Sequence, residues 1–309
     1  MLKKEKAEKL PVHKKLRSET TEAYQLLLPA FIFLAVFMAY PLINSIVMSF
    51  QNYKLTSPQT LGTFAAFDNF IKVFSASHMP LLVGNTILFV AVSVALQFVL
   101  GLALALTLRK PFRGRNVYQA VVFLPWAISA FIVGLTFRWM FNGEYGPVND
   151  ILLKLGIIPE KIAWLGLPGY SLFAIIAAMI WIGVPFFAIM ILAALQSIPQ
   201  DVFEAADIDG AGSFAKFVQI TIPYIKPTII MTLLLRTIWI FNSADLIFVM
   251  TNGGPANSSH TLASYMFNQA YAALDFGQAA ALGVVFMIIL LIYINIFLKV
   301  TRYDKAGDF

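Results

Sequence analysis

Six long apolar stretches, separated by shorter polar segments, dominate the chain. They lie at about residues 24–50, 81–108, 117–141, 171–196, 225–250 and 276–300. An α-helix needs roughly 20 apolar residues to cross the hydrocarbon core of a bilayer, and each stretch is long enough. The pattern predicts an all-α integral membrane protein with six transmembrane helices.

Composition supports a membrane protein and excludes several chemistries. Hydrophobic residues make up 59% of the 309 residues and charged residues only 12%, whereas soluble domains hold about a quarter charged residues. The absence of cysteine excludes disulfides and thiolate sites. His13, His78 and His260 are too scattered in the sequence to suggest a metal site.

The distribution of Lys and Arg predicts the orientation. They concentrate in the N-terminal tail (1–23), after the second stretch, between the fourth and fifth stretches, and in the C-terminal tail (301–309). Cytoplasmic loops carry the excess of Lys and Arg. Both termini are therefore expected in the cytoplasm. We interpret the basic N-terminal tail as a topology signal and expect no nucleic-acid partner.

The predicted cytoplasmic segment 197–223 reads SIPQDVFEAADIDGAGSFAKFVQITIP. Ser197, with glutamine three residues later, has the form of a capping box. Gly210 is suited to end the first helix at a positive φ. Ser213 is expected to cap a second helix that Pro223 breaks. The segment thus predicts two short helices joined by a glycine elbow.

Two interpretations of this segment are open on physical grounds. An amphipathic helix–turn–helix can lie on the inner leaflet, or it can dock to a partner protein. The acidic residues Glu204 and Asp207 favour docking, because a surface that binds the leaflet is expected to be basic. The GAGSFAK stretch lacks the glycine and hydroxyl residue of a phosphate-binding loop, so the chain is expected to hold no ATP site of its own.

The stretch EAADIDGAGSFAKFVQITIPYIKP resembles the EAA loop of ABC importer permeases, with Ile222 in place of the usual leucine. Similar stretches follow the family's order, at 123–149, 181–199, 233–255 and 276–284. The resemblance covers about residues 24–300, the expected permease domain. It is to carbohydrate-importer permeases of the maltose-transporter type, in particular the first of two unlike permease subunits.

The resemblance implies an assembly of several subunits, in which ATP binds to subunits other than this chain. The chain would pair with a second homologous permease, two cytoplasmic ATPase subunits and an extracytoplasmic substrate-binding protein in a prokaryotic inner membrane. The ATPase subunits would bind ATP and Mg, while this chain would hold no cofactor and would not be an enzyme. The substrate would be a sugar or oligosaccharide.

The resemblance also implies roles for residues of the EAA loop. Glu204 would pair with a basic residue of the ATPase, beside Asp207. Ala205 and Ala206 would form the closely packed contact, and Gly210 the elbow. The residue that ends the connection to the fifth span would be Pro223.

Polar residues inside the fifth stretch are candidates for the substrate pathway, because such groups are costly in a membrane. Asn242, Ser243 and Asp245 lie there with Trp239. On one continuous helix, Trp239, Asn242 and Leu246 would share a face. Aromatic rings with amide and carboxylate groups suit a polyol. The alternative is that these groups tie helices together.

Further candidates lie in the fourth and fifth stretches. Phe186 and Phe187 follow a kink expected at Gly183 and Pro185, and they are expected either to line the pathway or to pack in the core. Arg236 is expected to act as a structural tie. It would not pair with Asp245, because the two lie on opposite sides of an ideal helix.

Two other function classes compete with the importer permease. A self-contained secondary transporter or channel for a polar solute would need coupling carboxylates inside the spans. Asp245 is the only clear acidic candidate there. A membrane-embedded enzyme has no paired acids and no Ser/His/Asp arrangement to support it.

Overall fold

The computed structural model describes residues 12–301 and residue 303, with side chains from residue 22 onward. Residues 1–11 of the predicted N-terminal tail and most of 301–309 fall outside the described residues, whereas residues 12–23 form the beginning of α1. The helices are α1 (Val12–Leu34), α2 (Tyr40–Ser49), α3 (Asp68–Ser75), α4 (Met79–Arg109), α5 (Arg115–Ala127), α6 (Ala130–Met140), α7 (Pro147–Lys154), α8 (Tyr170–Gln196), α9 (Gln200–Ile208), α10 (Ser213–Lys216), α11 (Ile222–Phe241), α12 (Asp245–Met250), α13 (Leu262–Tyr271) and α14 (Phe276–Thr301).

The described chain is helical except for short connections and one small sheet. Strands β1 (Gln51–Asn52) and β2 (Thr63–Phe64) pair antiparallel, with Gln51 opposite Phe64. A π-helical segment at Ala35–Ala39 joins α1 to α2, and another at Phe217–Thr221 joins α10 to α11. The predicted all-α class is confirmed by this architecture.

Five helical units are long and apolar enough to cross a membrane, and a bent pair brings the number to six if it counts as one span. The five are Glu22–Ser49, Met79–Arg109, Tyr170–Gln196, Ser213–Phe241 and Phe276–Thr301. The bent pair is α5 and α6, which meet at 94°. The third apolar stretch is thus two helices rather than one straight rod.

The break between α5 and α6 has a local cause. Pro125 lies in the last turn of α5, where its missing N–H weakens continuation of the helix. Ser129 then acts as N-cap of α6, and its hydroxyl accepts from the backbone N–H of Phe131 at 3.3 Å. The capping serine starts a new helix in a new direction.

The fifth apolar stretch is also interrupted. Helix α11 ends at Phe241, and α12 begins at Asp245. At the break, the side-chain Nδ2 and the backbone N–H of Asn242 both donate to the carbonyl of Ile238, at 2.8 Å and 3.1 Å. The prediction that Trp239, Asn242 and Leu246 share one continuous helical face is therefore wrong.

The prediction that Pro223 breaks the helix is wrong as well. The helix runs without interruption from Ser213 to Phe241. The π-helical segment lies directly before the proline, and the Ile222 N–H donates to the carbonyl of Phe217. This wider turn accommodates a residue that has no N–H of its own.

Helices α4 and α8 form the centre of the molecule, and glycines let them approach closely. A Cβ on Gly101 would lie 2.4 Å from the Cβ of Phe187, and one on Gly183 would lie 2.2 Å from Cδ of Gln97. Helix α8 continues through Pro185 to Gln196. The two helices are therefore packed as one unit, since a methyl group at either glycine would force them apart.

The segment between α12 and α13 is tied to the beginning of α4. Asn85 Nδ2 donates to the carbonyls of Ser258 (3.0 Å) and His260 (2.9 Å). The His260 ring is buried and lies 2.9 Å, Nδ1 to Oγ, from Ser264. Burial, and secondarily the charge of His78, lowers the pKa of His260 to about 4. The His260 imidazole in this segment is therefore buried in its neutral form.

Candidate functional site

Helices α9 and α10 meet at the predicted glycine elbow. Gly210 adopts a φ of +74°. The N–H of Ala211 donates to the carbonyl of Ala206 at 2.9 Å, and that of Gly210 to the carbonyl of Asp207 at 3.1 Å. These two bonds form a Schellman motif, which satisfies carbonyls at the end of α9. The predicted glycine elbow and the short first helix are confirmed, but the second helix is not short, because it continues into α11.

The predicted capping residues of the two helices are wrong. Ser197 ends α8 instead, and its hydroxyl donates to the carbonyl of Ala194 at 2.9 Å. Helix α9 has Pro199 at its N-cap, where no side chain can cap. Ser213 is the first residue of α10, after Gly212. Ser197 lies two residues before the N-cap of α9, so it is not in the capping position.

An ion pair closes the elbow across its two helices. Lys216 Nζ lies 2.5 Å from Asp207 Oδ1. Because Asp207 is on α9 and Lys216 is on α10, this contact adds to the glycine turn in setting the angle between them. The carboxylate of Asp207 still has most of its surface exposed.

One side of the elbow is exposed, and we call it the elbow face: Glu204, Ala205, Ile208 and Phe214. Ile208 is 87% exposed and Phe214 80%. Exposed apolar residues rimmed by charge mark a contact with a protein or membrane. Ile208 was not among the predicted contact residues, although it lies four residues after Glu204 and hence on the same helical face.

The opposite side of α9 packs into the molecule. Ala206 is buried, and Phe203 packs against the apolar cluster that includes Leu108 and Leu195. The guanidinium carbon of Arg109, the last residue of α4, lies 4.3 Å from the centre of the Phe203 ring. Of the two predicted contact alanines, Ala205 faces outward, whereas Ala206 is buried within this chain.

Three aromatic side chains from different helices form a second candidate site, here called the aromatic surface. The rings of Phe186 and Trp239 are 5.1 Å apart, and those of Trp126 and Phe186 are 6.3 Å apart. Trp126 is 50% exposed and Trp239 46%. Phe187 points elsewhere, fully buried with its ring 5.8 Å from Phe98. Only the first of the two predicted phenylalanines belongs to this surface.

Trp126 was missed because the third apolar stretch was interpreted as a straight span. The residue lies at the end of α5, just before the 94° bend. The signal was present as Pro125 beside it and Ser129 three residues on. Together these two residues predict a helix end and a helix start.

Behind the aromatic surface, Arg236 joins three helices. It is only 7% exposed, and its Nε donates to Gln97 Oε1 at 2.7 Å. Gln97 Nε2 in turn donates to the carbonyl of Met179 at 2.7 Å. The guanidinium carbon lies 5.8 Å from the centre of the Phe186 ring. This geometry agrees with the predicted structural tie between α4, α8 and α11, and Gln97 rather than Asp245 is the partner.

The remaining polar candidates lie at the break after α11. Asn242 and Asp245 are exposed, and Ser243 is half-buried. Asn242 lines a cavity of about 700 Å³ between α2, α13 and α14, which is otherwise largely apolar. Asn242 thus lines a cavity to which none of the three rings of the aromatic surface contributes.

Comparison with known proteins extends over most of the chain. The family described as "Binding-protein-dependent transport system inner membrane component" matches residues 97–302. A sulfoquinovosyl glycerol transport system permease protein of Agrobacterium fabrum is 37% identical over 280 residues, covering 91% of this chain and 90% of the relative. A trehalose/maltose transport system permease protein of Thermococcus litoralis is 36% identical over 287 residues, covering 93% and 96%.

A solved structure with a similar fold belongs to a bacterial ABC transporter involved in the import of the acidic polysaccharide alginate. The TM-score is 0.81 at 24% sequence identity, and the match covers 94% of this chain and 99% of that chain. At this identity the likeness shows the fold.

Proposed function

The chain belongs to the family of inner membrane components of binding-protein-dependent transport systems, and from this premise we propose that it is a permease subunit for a sugar or oligosaccharide. It forms the translocation pathway with a second permease and is driven by a separate ATPase. Both termini lie in the cytoplasm of a prokaryotic cell. ATP and Mg bind to the ATPase subunits, which hydrolyse ATP.

The elbow face is the observation that carries this proposal. Ile208 and Phe214 are two large apolar side chains held in water by a stiff turn, with Glu204 and Ala205 beside them. The acidic residue favours a protein partner over an anionic leaflet. We assign this face to a cleft of the ATPase, where the apolar pair inserts and the Glu204 carboxylate meets a basic side chain.

The first helical unit supports a second permease as a further partner. None of the most apolar 18-residue window in Glu22–Ser49 is buried in this chain. Lipid covers part of such a helix, and the second permease covers the rest. The external loops are where an extracytoplasmic binding protein delivers substrate, and one solved alginate transporter is in complex with a pentasaccharide-bound periplasmic protein.

The aromatic surface supports a carbohydrate as substrate. Trp126 and Trp239 present half-exposed rings, and Phe186 closes the gap between them. Aromatic rings pack on the CH faces of sugar rings. Asn242, in the separate cavity between α2, α13 and α14, is an amide able to bond sugar hydroxyl groups. Ser243 and Asp245 offer further polar atoms at the same break. The relatives are named for sulfoquinovosyl glycerol, trehalose and maltose, and lactose.

Uptake by a reconstituted complex tests the proposal. The chain is purified with its second permease and ATPase and placed in liposomes with the binding protein. The vesicles are then tested with labelled maltose, trehalose, lactose and diacetylchitobiose. Uptake of at least one sugar is expected only with ATP. Uptake by this chain without the ATPase would instead support a self-contained secondary transporter or channel.

Variants distinguish residues that contact the sugar from residues that only pack in the protein. Trp126→Ala is expected to raise the sugar concentration for half-maximal uptake up to about tenfold, from the energy of one lost aromatic contact. Asn242→Ala is expected to change the preference among the sugars. Trp139→Ala is the matched control, because Trp139 is 55% exposed on α6 and lies outside the aromatic surface. Equal kinetics in the Trp126 and Trp139 variants would contradict the assignment.

A further inference from the structure

A side-chain pair connects helix α9 to the last residue of α4. The guanidinium of Arg109 lies over the ring of Phe203, with 4.3 Å from its central carbon to the ring centre. Both side chains are half-buried. A cation over an aromatic face is attracted by the negative charge of that face, and the attraction grows as water is excluded. The pair is therefore a directed contact.

The Phe203 ring also packs against apolar residues of three other helices. The ring packs against the cluster that contains Leu108 of α4, Leu195 of α8 and Ile225 of α11, each of them buried. Phe203 thus contacts both the Arg109 guanidinium and this apolar cluster. A rotation of α9 about its own axis would break both contacts.

Helix α4 is able to carry a displacement from this point into the membrane. It is continuous from Met79 to Arg109, and Gln97 lies about 18 Å along it from Arg109. At that level Gln97 bonds Arg236, whose guanidinium lies behind Phe186. The glycine contacts described above hold α4 against α8, so a shift at one end is not absorbed by loose packing.

We propose that the Arg109–Phe203 pair is the joint through which α9 moves α4, and with it the Gln97–Arg236 contact beneath the aromatic surface. The inference rests on the proposed function, because it assumes that an ATPase moves the elbow. In this assignment Arg109 and Phe203 are positioning residues. They contact neither the ATPase nor the sugar. They transmit the movement of the ATPase to the sugar site.

A simpler role for Arg109 predicts different results. A basic residue in the last turn of a helix is stabilised by the helix dipole, and lysine serves this role as well as arginine. If that were all, Arg109→Gln would lower stability alone, and the identity of residue 203 would not matter to transport. The joint requires a ring at position 203 and a cation above it.

Uptake and ATP hydrolysis measured on the same vesicles test the joint. In Arg109→Gln and in Phe203→Leu we expect hydrolysis to continue, while the sugar imported per ATP falls about fivefold, the factor for one lost cation–π contact. Phe203→Tyr keeps the ring and is expected to keep coupling. The double variant is expected to be no worse than either single one. Arg113→Gln, an exposed arginine of the same loop, is the control.

The natural absence of cysteine allows a rescue experiment. Cysteines placed at positions 109 and 203 remove the joint, and a short bifunctional thiol reagent restores a connection. Coupling is expected to be low before cross-linking and to recover afterwards. Failure to recover, with intact hydrolysis, would overturn the inference.

The outcomes distinguish failure of the Arg109–Phe203 joint from failure of the proposed function. Normal sugar-to-ATP ratios in Arg109→Gln and Phe203→Leu overturn the joint and leave the proposed function standing. A parallel loss of hydrolysis and uptake indicates lost docking or folding, which also contradicts the joint. Absence of ATP-dependent uptake by the unmodified complex overturns the proposed function, and the joint with it.

Discussion

Replacing Gly210 by alanine tests the elbow, because the structure separates its backbone requirement from its steric surroundings. Gly210 has a φ of +74°, and a Cβ at this position would meet no atom within 4 Å. A clash therefore cannot explain a defect. The cost is that of placing an L-residue in the left-handed region, about 1–2 kcal/mol.

This cost translates into a weaker contact with the ATPase. If only the left-handed turn presents the elbow face correctly, 1–2 kcal/mol lowers the equilibrium constant for the competent conformation about 5- to 30-fold, and its population falls by up to that factor. The apparent affinity for the ATPase is expected to fall by the same factor. It is measured as binding of the purified ATPase to the permease pair in nanodiscs, together with uptake.

Two further substitutions make the test decisive. Gly212→Ala is the matched control, since Gly212 also has open space around it but has a φ of −67°. Gly210→Asn is expected to recover much of the affinity, because asparagine tolerates the left-handed region. Equal affinities for the Gly210→Ala and Gly212→Ala variants would refute the reasoning. So would an asparagine variant as weak as the alanine variant.

Three other perturbations have expected outcomes. Gly183→Ala would place a methyl group 2.2 Å from Cδ of Gln97, so the Tm of the complex is expected to fall, at a cost of about 1–3 kcal/mol; an unchanged Tm would contradict the close packing. Lys216→Gln removes the partner of Asp207 and is expected to weaken ATPase binding less than Gly210→Ala, because an exposed ion pair contributes under about 1 kcal/mol. The pKa of His260 is lowered to about 4 by burial, so the folded state favours the neutral ring, and stability is expected to fall as pH drops from about 6.5 toward 4. A pH series of Tm values checks this, and His260→Gln is expected to show a flatter dependence.

The helical class and the elbow were predictable because each depends on local signals. Long apolar stretches determine where helices can cross a membrane, and glycine at position 210 favours the left-handed turn that ends α9. The structural role of Arg236 also followed from chemistry, since a buried charge inside a span requires a partner. Its partner Gln97 lies on another helix, and sequence spacing does not indicate such a pair.

The breaks in the third and fifth apolar stretches were not predicted, because hydropathy averages over them. Pro125 and Ser129 end one helix and begin another inside a stretch that is apolar throughout. The fifth stretch is interrupted between Phe241 and Asp245. The opposite error occurred at Pro223, where a π-helical turn keeps the helix continuous. Local propensity alone does not determine these outcomes, because packing selects among them.

The bare first helical unit has a consequence for biosynthesis. Glu22–Ser49 is made first and buries none of its most apolar window against the rest of its own chain. In a newly inserted copy α2 contacts α14, but the most apolar part of this unit faces lipid until a partner arrives. We expect such an orphan copy to be recognised by membrane proteases and removed. Degradation of unpaired copies would then match the amount of this subunit to the amount of its partner, without any dedicated regulator.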